Sequence, residues 1–576
     1  MKASDYIANR IADLGVKAVF GYQGGNIAHM IDSIWRHSDV EFVSTYNEQG
    51  ASFSACGYAM ENQTIGVAMA SSGPGAINLI SGIANAYYDS IPTLFITGNV
   101  SILAMKQENE VRQNAFQEND IVSMVSNVTK YAVTVMDAHD LRYHLEKALF
   151  LAQEGRPGPV LLDVPHNIQK AELDYKHENY DKPDNRTYKV SIDIVDEMIK
   201  AFSNAHRPLM IIGGGAGSKD ARLQLENLLK KWNVPVVTTL RGLDIVSHRE
   251  KNFIGFGGIY GNRASNFAIK YSDVILVCGA RLDERFICTS DKEFINKKKV
   301  YHIDVDTVEL GRIINNETKL ESNLEAFLEC LLERSVPILD FSDWVNIINK
   351  WKKRYPSHND EWSINTAVSI ISDNARDDAV FTLDVGINQM CAAQSIILNG
   401  TQKCYTSAGH GAMGCSIPLA IGAVYADKSK IAYCFVGDGA LHMNIQELLM
   451  IGKYGLPVHV ILNNNNCLGM IRDFQTKAFD SRFAATIDLL QEIDYRKIAE
   501  AYGLKYYKAA KKSELIDIMD VLQSDRPCFV ELQFQNEVNT NPKLGADMFK
   551  QFPLLSDEEV KCMEEEALEC GNIISW

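Results

Sequence analysis

The chain alternates between short, continuous apolar runs and segments in which apolar residues recur every three or four positions. The clearest example is the stretch 430–470. Residues 431–436 form an apolar run that ends in a Gly-Asp-Gly turn, residues 443–454 carry apolar positions at helical spacing, and residues 458–462 form a second run that ends in four asparagines. This order predicts a strand, a helix and a strand, the βαβ unit of a parallel sheet. Because the crossover of such units is right-handed, both strands end at one sheet edge, where ligands of open α/β sheets bind.

The same alternation recurs through most of the chain. The other strand-like runs lie at residues 19–20, 42–46, 65–70, 93–97, 208–212, 236–240, 274–278, 300–305 and 379–383. Strand and helix patterns in alternation predict an α/β fold built from doubly wound parallel sheets. The 576 residues are enough for three such domains. We predict domains at residues 1–175, 190–340 and 355–545, followed by an acidic tail at 546–576.

Composition narrows the class of protein further. The chain is 46% hydrophobic, yet it contains no apolar window long enough for a transmembrane helix. Its first residues follow an amphipathic helix pattern and not that of a signal peptide, and its twelve cysteines form no CxxC pair, which together predict a cytoplasmic protein with reduced thiols. A net charge of −16 disfavours nucleic acid and anionic membrane as partners.

The stretch 430–470 also holds a candidate metal site. Asp438 offers a carboxylate beside two glycines, which let a phosphate approach the backbone closely. Asn465 offers an amide oxygen 27 positions later, at the end of the neighbouring predicted strand. A carboxylate, an amide oxygen and a main-chain carbonyl are hard ligands that suit Mg²⁺ bound with a diphosphate. Either half alone would indicate only a tight turn or a polar loop, but both halves on neighbouring strands favour the metal site.

The sequences GDGALHMNIQEL and NNNCLGM in this stretch resemble the thiamine diphosphate-binding motif, and more closely the catalytic subunits of acetolactate synthases (acetohydroxyacid synthases). The resemblance implies that the metal ligands are Asp438, the side chain of Asn465 and the main-chain oxygen of Cys467. The additional Asn463 leaves the register of the Asn-Asn pair open by one residue.

The first third of the chain carries further motifs that resemble this family. They are NEQGASFSACGYA (47–59), SSGPGAINLISGIANAYYDSIP (71–92), AFQENDIV (115–122) and GRPGPVLLDVPHNIQ (155–169). By resemblance, Glu48 hydrogen-bonds the aminopyrimidine ring of thiamine diphosphate and so promotes deprotonation of its thiazolium carbon. The Gly25 N–H would contact the reacting oxygen, and Gln117 and Phe116 would line the substrate side. Taken alone, a glutamate at this position is usually just an acidic residue that the helix dipole favours at a helix start.

The other two domains contribute the remaining candidate residues. A glycine cluster after a strand in the central domain is typical of dinucleotide sites, although many such loops bind nothing. The resemblance implies a structural FAD there, on Arg156, Gly213, Gly214, Gly215, Thr239, Arg281 and Asp304. It implies thiamine diphosphate contacts at Val385, Gly386, Ile387, Asn388, Gly411, Met413, Gly437, Asp438, Gly439, Ala440, Asn465, Leu468, Gly469 and Met470. Met413 would be the apolar wedge under the cofactor; without the resemblance it would be a core methionine.

The implied reaction is decarboxylation of pyruvate, a 2-keto acid, with ligation of the two-carbon unit to a second carbonyl. The chain departs from the family at five positions around the substrate channel, which are Gln23, Ser101, His166, Glu284 and Phe474. This distribution predicts unaltered activation chemistry with altered substrate choice. The alternatives are transfer to another acceptor such as a keto-sugar nucleotide, a simple decarboxylase or oxidase, and a non-catalytic binding protein. The resemblance also implies a homodimer or homotetramer and allows a small regulatory subunit.

Overall fold

The computed structural model describes residues 1–576 except 107–110, 174–178, 185, 288–294, 296, 335, 488–489, 491–492, 535–538 and 572–576. Its strands form three six-stranded sheets and one two-stranded sheet, and every strand pairing within them is parallel. Helices cover the sheets, as parallel sheets require. The prediction of three doubly wound α/β domains is therefore confirmed.

The N-terminal domain is built on a sheet in the order β2-β1-β3-β4-β6-β5. Its elements are α1 (Ala3–Asp13), β1 (Ala18–Gly21), α2 (Ala28–Arg36), β2 (Glu41–Ser44), α3 (Glu48–Asn62), β3 (Gly66–Ala70), α4 (Pro74–Asn78), α5 (Ile80–Tyr88), β4 (Thr93–Asn99), α6 (Ile121–Val125), β5 (Tyr131–Thr134), α7 (Leu141–Gln153), β6 (Pro159–Pro165) and α8 (His166–Lys170). The chain passes from β1 to β2 on one side and returns to β3 on the other. The switch point of this sheet therefore lies between β1 and β3.

The central domain repeats this topology in the order β10-β9-β7-β11-β12-β13. Its elements are α9 (Ile192–Ser203), β7 (Leu209–Ile212), α10 (Lys219–Lys231), β8 (Trp232–Asn233), β9 (Val236–Thr238), β10 (Phe253–Phe256), α11 (Arg263–Tyr271), β11 (Val274–Cys278), β12 (Lys299–Asp304), β13 (Thr318–Glu321), α12 (Leu324–Glu333), β14 (Leu339–Asp340) and α13 (Ser342–Arg354). Its switch point lies between β7 and β11.

The C-terminal domain has the order β16-β15-β17-β18-β20-β19. Its elements are α14 (Ile364–Asp373), β15 (Val380–Leu383), α15 (Ile387–Ser395), β16 (Lys403–Thr406), α16 (Ser416–Ala426), β17 (Ala432–Gly437), α17 (Asp438–Leu441), α18 (Leu448–Tyr454), β18 (Val458–Asn464), α19 (Gly469–Ala478), α20 (Tyr495–Ala501), β19 (Lys505–Ala509), α21 (Lys512–Asp517), α22 (Met519–Leu522), β20 (Cys528–Gln533) and, beyond the sheet, α23 (Asp557–Leu568). The switch point lies between β15 and β17, directly before Asp438.

Two predicted helices differ from the structure in their bounds. The segment 443–454 begins as a 3-10 turn, Ile445–Glu447, and is α-helical only from Leu448. The predicted helix 51–60 begins earlier, at Glu48, because the side chain of Asn47 accepts a hydrogen bond from the Gln49 N–H and caps the helix.

The N- and C-terminal domains touch along α3 and α16. A side chain at Gly57 would lie 2.2 Å from the Leu419 carbonyl oxygen, and one at Gly422 would lie 1.9 Å from the Ser54 carbonyl oxygen. Only glycine permits so close a backbone approach. The helix that begins at Glu48 is thus fixed against the domain that carries Asp438.

The sequence allowed two interpretations of the acidic tail, a lid or a solvated segment. In the structure the tail packs against the central domain. The Trp351 indole N–H donates to Glu566 over 2.6 Å, and Arg354 pairs with the same carboxylate at 2.6 Å. Met563 and Ala567 are buried in the core cluster that contains Trp351. Residues 572–576 of the tail lie outside the described residues.

Cysteine usage agrees with the predicted reduced state. The eleven cysteines within the described residues are all unpaired; eight of them are buried, two are half-buried and one, Cys562, is exposed. Cys288 lies outside the described residues. In the described part of the chain, no helix has both the length and the apolar character that crossing a membrane needs.

Candidate active site

The carboxyl end of β17 leads directly into Asp438, at the switch point of the C-terminal sheet. The carboxylate is buried and accepts main-chain N–H bonds from Gly439 at 2.8 Å and from Asn465 and Cys467 at 3.2 Å each. Burial raises the pKa of Asp438 to about 6, and these three donors oppose the rise. The loop after β18 therefore wraps around one carboxylate.

Two further oxygen-bearing groups, the Asn465 side chain and the Cys467 main-chain carbonyl, lie beside this carboxylate. The side-chain amide of Asn465 lies 3.1 Å from Asp438 Oδ2 and 2.9 Å from the main-chain oxygen of Cys467. With its nitrogen turned inward, the amide donates to both oxygens. With its oxygen turned inward, the amide oxygen lies beside the Asp438 carboxylate oxygen and the Cys467 carbonyl oxygen. Three oxygens so close together repel one another unless a cation binds between them. Asn463 and Asn464 point elsewhere, toward Asn388 and Glu531 respectively.

Apolar residues surround this oxygen set. A side chain at Gly439 would lie 2.4 Å from Leu468 and 3.4 Å from Met413. A side chain at Gly469 would lie 2.8 Å from the Asn465 amide and 3.0 Å from Ile387. The structure thus brings together candidate residues that are more than 80 positions apart in sequence. The neighbouring side chains approach Gly439 and Gly469 so closely that a larger residue at either position would collide with them.

Asp384, to which the sequence assigned no role, organises the other side of the cleft. Its buried carboxylate accepts N–H bonds from Val385 and Gly414 at 2.8 Å and from Ser416 at 2.9 Å, and the Ser416 hydroxyl donates to it at 2.6 Å. Burial raises its pKa and these donors oppose the rise. Asp384 therefore fixes the turn that contains Gly411 and Met413 against the end of β15, where Gly386 adopts φ +129°.

The N-terminal domain collects a second set of candidate residues at its own switch point. Glu48 accepts a hydrogen bond from the Asn78 side chain at 3.0 Å, and a side chain at Gly75 would lie 2.9 Å from its carboxylate. The turn that contains Gly25 packs beside the same loop, since a side chain at Gly24 would lie 2.5 Å from Ser71. The space around Gly25 itself is open.

The loop that carries Phe116 and Gln117 crosses this face. Gln117 adopts φ +64°, and a side chain at Gly73 would lie 3.1 Å from its Cβ. The Gly73 N–H donates to the Asn119 side chain at 3.0 Å, which ties the loop to the glycine turn. Phe116 is 84% exposed. The loop therefore holds Gln117 in a strained, left-handed conformation while Phe116 projects into solvent.

Glu447 links the C-terminal domain to the N-terminal domain next to Glu48. The sequence did not indicate this role, because Glu447 lies in an ordinary helical pattern of apolar and polar residues. Its buried carboxylate accepts the Tyr46 N–H at 3.1 Å and would lie 2.4 Å from a side chain at Gly50. Burial raises the pKa of Glu447 to about 7, and the N–H groups of Tyr46 and Asn47 oppose the rise. A residue of the C-terminal domain therefore secures the segment that leads into Glu48.

Replacing Glu447 by alanine is expected to destabilise this junction. The change leaves the part-buried N–H of Tyr46 without its carboxylate acceptor, which costs about 1 kcal/mol. The measurement is the thermal midpoint of the first unfolding transition, compared with Glu447→Gln, which retains an acceptor oxygen and is expected to lose less. An alanine variant as stable as the wild type would contradict the assignment.

The central domain borders a cavity of about 590 Å³ that reaches all three domains. Six candidate residues line it, namely Arg156, Gly214, Gly215, Thr239, Arg281 and Asp304. Gly213 lies against the neighbouring strand end, because a side chain there would be 2.3 Å from the Gly279 carbonyl oxygen. Tyr88 and Tyr405 contribute from the other two domains. The volume is in the range of small-molecule sites.

Comparison with known proteins agrees with this arrangement. Residues 1–124, 195–331 and 384–532 match the family models of the N-terminal TPP binding domain, the central domain and the C-terminal TPP binding domain of thiamine pyrophosphate enzymes. The chain is 32% identical over 551 residues to the acetolactate synthase large subunit of Lactococcus lactis subsp. lactis (95% of this chain, 94% of that protein). It is 32% identical over 547 residues to the acetolactate synthase isozyme 2 large subunit of Escherichia coli (94% of this chain, 97% of that protein).

The three matched domains and the two glycine-lined switch points define an enzyme of the thiamine diphosphate-dependent class. Within that class, the chain belongs to the family of acetolactate synthase large subunits. The resemblance seen in the sequence is confirmed.

Proposed function

We propose that this chain catalyses the decarboxylation of a 2-keto acid, with pyruvate as the donor, and ligates the two-carbon unit to a second carbonyl compound. The observation that carries the proposal is the convergence of Asp438, Asn465 and the Cys467 main-chain oxygen at the switch point of the C-terminal sheet. When bound, thiamine diphosphate supplies the carbanion-stabilising centre that this reaction requires.

The residues at this edge fit a magnesium ion that carries a diphosphate. The three oxygen donors are hard ligands and leave coordination positions for phosphate oxygens and water. Gly437 and Gly439 flank the carboxylate without side chains that would block an approaching phosphate. Asp438, Asn465 and Cys467 would hold the metal, and the apolar surface of Ile387, Met413 and Leu468 would hold the organic part of the cofactor.

The chain's own residues divide the remaining tasks. Glu48 offers a carboxylate at the start of α3, where it would hold a proton at a ring nitrogen of the cofactor. The Gly25 N–H would donate to the reacting oxygen from the open 3-10 turn Gly25–Ile27. Gln117 and Phe116 would close the substrate side and exclude water.

The complete site requires two copies of the chain in this proposal. Among the described residues, the hydrogen bond of Glu48 stays within its own domain and none of its contacts reaches the Asp438 set. Large apolar side chains are exposed beside both half-sites, with Phe116 at 84% and Phe474 at 57%. Exposed apolar surface of this kind is typical of an interface. A homodimer would cover this apolar surface if the residues around Glu48 of one chain faced the residues around Asp438 of its partner. A tetramer would consist of two such dimers.

FAD fits the cavity of the central domain in this account. Gly214 and Gly215 allow close approach of a pyrophosphate after β7, and the half-buried Arg281 guanidinium faces the same space. Burial raises the pKa of Asp304, whose carboxylate ends β12 and lines the cavity. FAD would serve there as a structural group. The printed names of the relatives describe large subunits, and a small regulatory subunit is a further proposal.

Replacing Arg281 by alanine is expected to weaken FAD binding about tenfold, because it removes one charge-assisted hydrogen bond. The measurement is the amount of flavin retained through gel filtration and released on heating. Arg334→Ala is the matched control, since Arg334 also pairs with one aspartate, Asp196, at similar exposure but outside the cavity. Equal flavin retention in both variants would contradict the placement of FAD.

The proposed activity is tested by CO₂ release from pyruvate. Protein freed of metal and cofactor with a chelator is expected to be inactive, and addition of thiamine diphosphate with Mg²⁺ is expected to restore release. Neither compound alone should suffice, because the oxygen set binds the metal and the diphosphate together. Release that is independent of both compounds would overturn the proposal.

A further inference from the structure

A buried carboxylate that the proposed chemistry does not use lies near the carboxyl end of β6. Asp163 is 1% exposed and accepts hydrogen bonds from three side chains, which are Thr97 at 2.8 Å, Asn99 at 2.8 Å and Thr134 at 3.1 Å. Burial raises the pKa of Asp163 to about 6, the three donors oppose the rise, and the neighbouring Asp120 adds to it. At neutral pH the carboxylate is therefore ionised and acts only as an acceptor.

Asn99 connects this carboxylate to the loop that carries Gln117. Its amide nitrogen donates to Asp163 Oδ2 at 2.8 Å and also to the Asn119 main-chain oxygen at 3.1 Å. The Asn119 side chain in turn accepts the Gly73 N–H at 3.0 Å, and a side chain at Gly73 would lie 3.1 Å from Gln117 Cβ. A continuous series of hydrogen bonds therefore leads from the buried carboxylate to the surroundings of Gln117.

Glu118 has a different part in the same loop. Its carboxylate accepts the main-chain N–H groups of Lys106 at 2.7 Å, Asn114 at 2.8 Å and Ala115 at 3.1 Å. All three partners belong to the loop itself. Glu118 thus gives the loop its internal shape, whereas Asn119 attaches it to the sheet.

The attachment point lies between two groups of the proposed site. Gly73 directly precedes α4, and a side chain at Gly75 would lie 2.9 Å from the Glu48 carboxylate. On the other side of Asn119, Gln117 adopts φ +64°, a conformation that costs free energy and persists only where the surrounding structure holds it. The position of Gln117 relative to Glu48 therefore depends on the bonds of Asn119.

We propose that Asn99 and Asn119 are positioning residues, anchored on the buried Asp163 carboxylate, that hold the substrate-side loop in place. The inference rests on the proposed function, because that function places Gln117 on the substrate side and Glu48 beside the cofactor. Loss of either bond releases the loop from the sheet. Substrate binding should then weaken, while thiamine diphosphate keeps its contacts in the C-terminal domain.

The first test compares Asn119→Ala with Asn119→Asp in the complete enzyme with thiamine diphosphate, Mg²⁺ and FAD. Alanine removes the acceptor of the Gly73 N–H, whereas aspartate keeps an oxygen there. The Asn119 nitrogen that aspartate replaces has no hydrogen-bond partner within the described residues. Alanine is expected to raise the KM for pyruvate about tenfold, with kcat and the dissociation constant of thiamine diphosphate within about twofold of the wild type.

Aspartate at the same position is expected to restore the wild-type KM, because it restores the acceptor. A KM that Asn119→Ala leaves unchanged would overturn the inference. So would a KM that Asn119→Asp raises as much as Asn119→Ala does, since the acceptor oxygen would then be irrelevant.

The second test needs no turnover and compares two donors to one oxygen. Asn99 and Thr134 both donate to Asp163 Oδ2, but only Asn99 also donates to the loop. Asn99→Leu and Thr134→Val each remove one of these donors and keep a side chain of similar shape. Hydrogen exchange of the main-chain N–H groups, measured by mass spectrometry, is expected to be at least about tenfold faster in residues 111–119 of Asn99→Leu and unchanged there in Thr134→Val.

Two results of the exchange measurement would overturn the inference. The first is a wild-type exchange rate in residues 111–119 of Asn99→Leu. The second is equal acceleration in Asn99→Leu and Thr134→Val, which would mean that the carboxylate only stabilises the sheet. Because exchange is measured without substrate, a wild type that shows the expected exchange but releases no CO₂ from pyruvate would overturn the proposed function alone.

Discussion

Replacing Glu48 by glutamine is expected to lower kcat by about 10³-fold or more while thiamine diphosphate remains bound. The glutamine side chain fills the same space at the start of α3 and can keep its contact with Asn78, so the fold should be preserved. It cannot hold or release a proton at the position of the carboxylate. The measurements are CO₂ release from pyruvate and the dissociation constant of thiamine diphosphate in the presence of Mg²⁺.

The matched control for this variant is Glu61→Gln at the other end of α3. Glu61 accepts a hydrogen bond from Tyr405 at 2.8 Å, and burial raises its pKa, so the amide is a close replacement. This control should retain most of the activity. A Glu48→Gln enzyme with undiminished turnover would contradict the role of Glu48 as the proton-holding group.

Replacing Asp438 by asparagine is expected to weaken metal-dependent cofactor binding by about 10²-fold or more, because the only carboxylate of the oxygen set is lost. Mixing this inactive chain with the inactive Glu48→Gln chain is then expected to restore activity. If each site takes Glu48 from one chain and Asp438 from its partner, half of the randomly formed dimers contain one intact site. The mixture should reach about one quarter of the wild-type activity.

The control for this mixture is Glu48→Gln combined with a chain that carries both changes. Every site is then damaged, and no activity should return. Failure of the first mixture to recover activity, with dimers confirmed by native mass spectrometry, would contradict a site shared between two chains and would favour a site within one chain.

Local patterns were sufficient for the fold. Runs such as 431–436 end where β17 ends within one residue, because apolar continuity and a following glycine are both local properties. The Asp438 turn could be identified for the same reason, since it follows a strand directly. The helix 443–454 was predicted too long, because a 3-10 turn and an α-helix share nearly the same apolar spacing.

The contacts that position the site could not be read from the sequence. Asp384 gathers donors that are 30 residues or more away, and Glu447 reaches Tyr46 across 401 positions. Such pairs are brought together by sheet topology and helix packing. The sequence around either residue does not indicate which distant residue it contacts.

The resemblance to acetolactate synthases added information that pattern alone could not supply, including the roles of Gln117 and Met413. The structure shows why these residues are scattered in the sequence. The three sheets share one topology, and each places its glycine-rich turns at the same edge, so the candidate residues collect at three equivalent switch points.

The identity of the product tests the central claim most directly. Purified protein with thiamine diphosphate, Mg²⁺ and FAD should be given pyruvate as the sole substrate, and acetolactate and CO₂ should be measured together. The account predicts one CO₂ for each acetolactate, because two pyruvate molecules combine and one carboxylate is lost. CO₂ accompanied by acetaldehyde and no acetolactate would contradict the ligation step and define a simple decarboxylase.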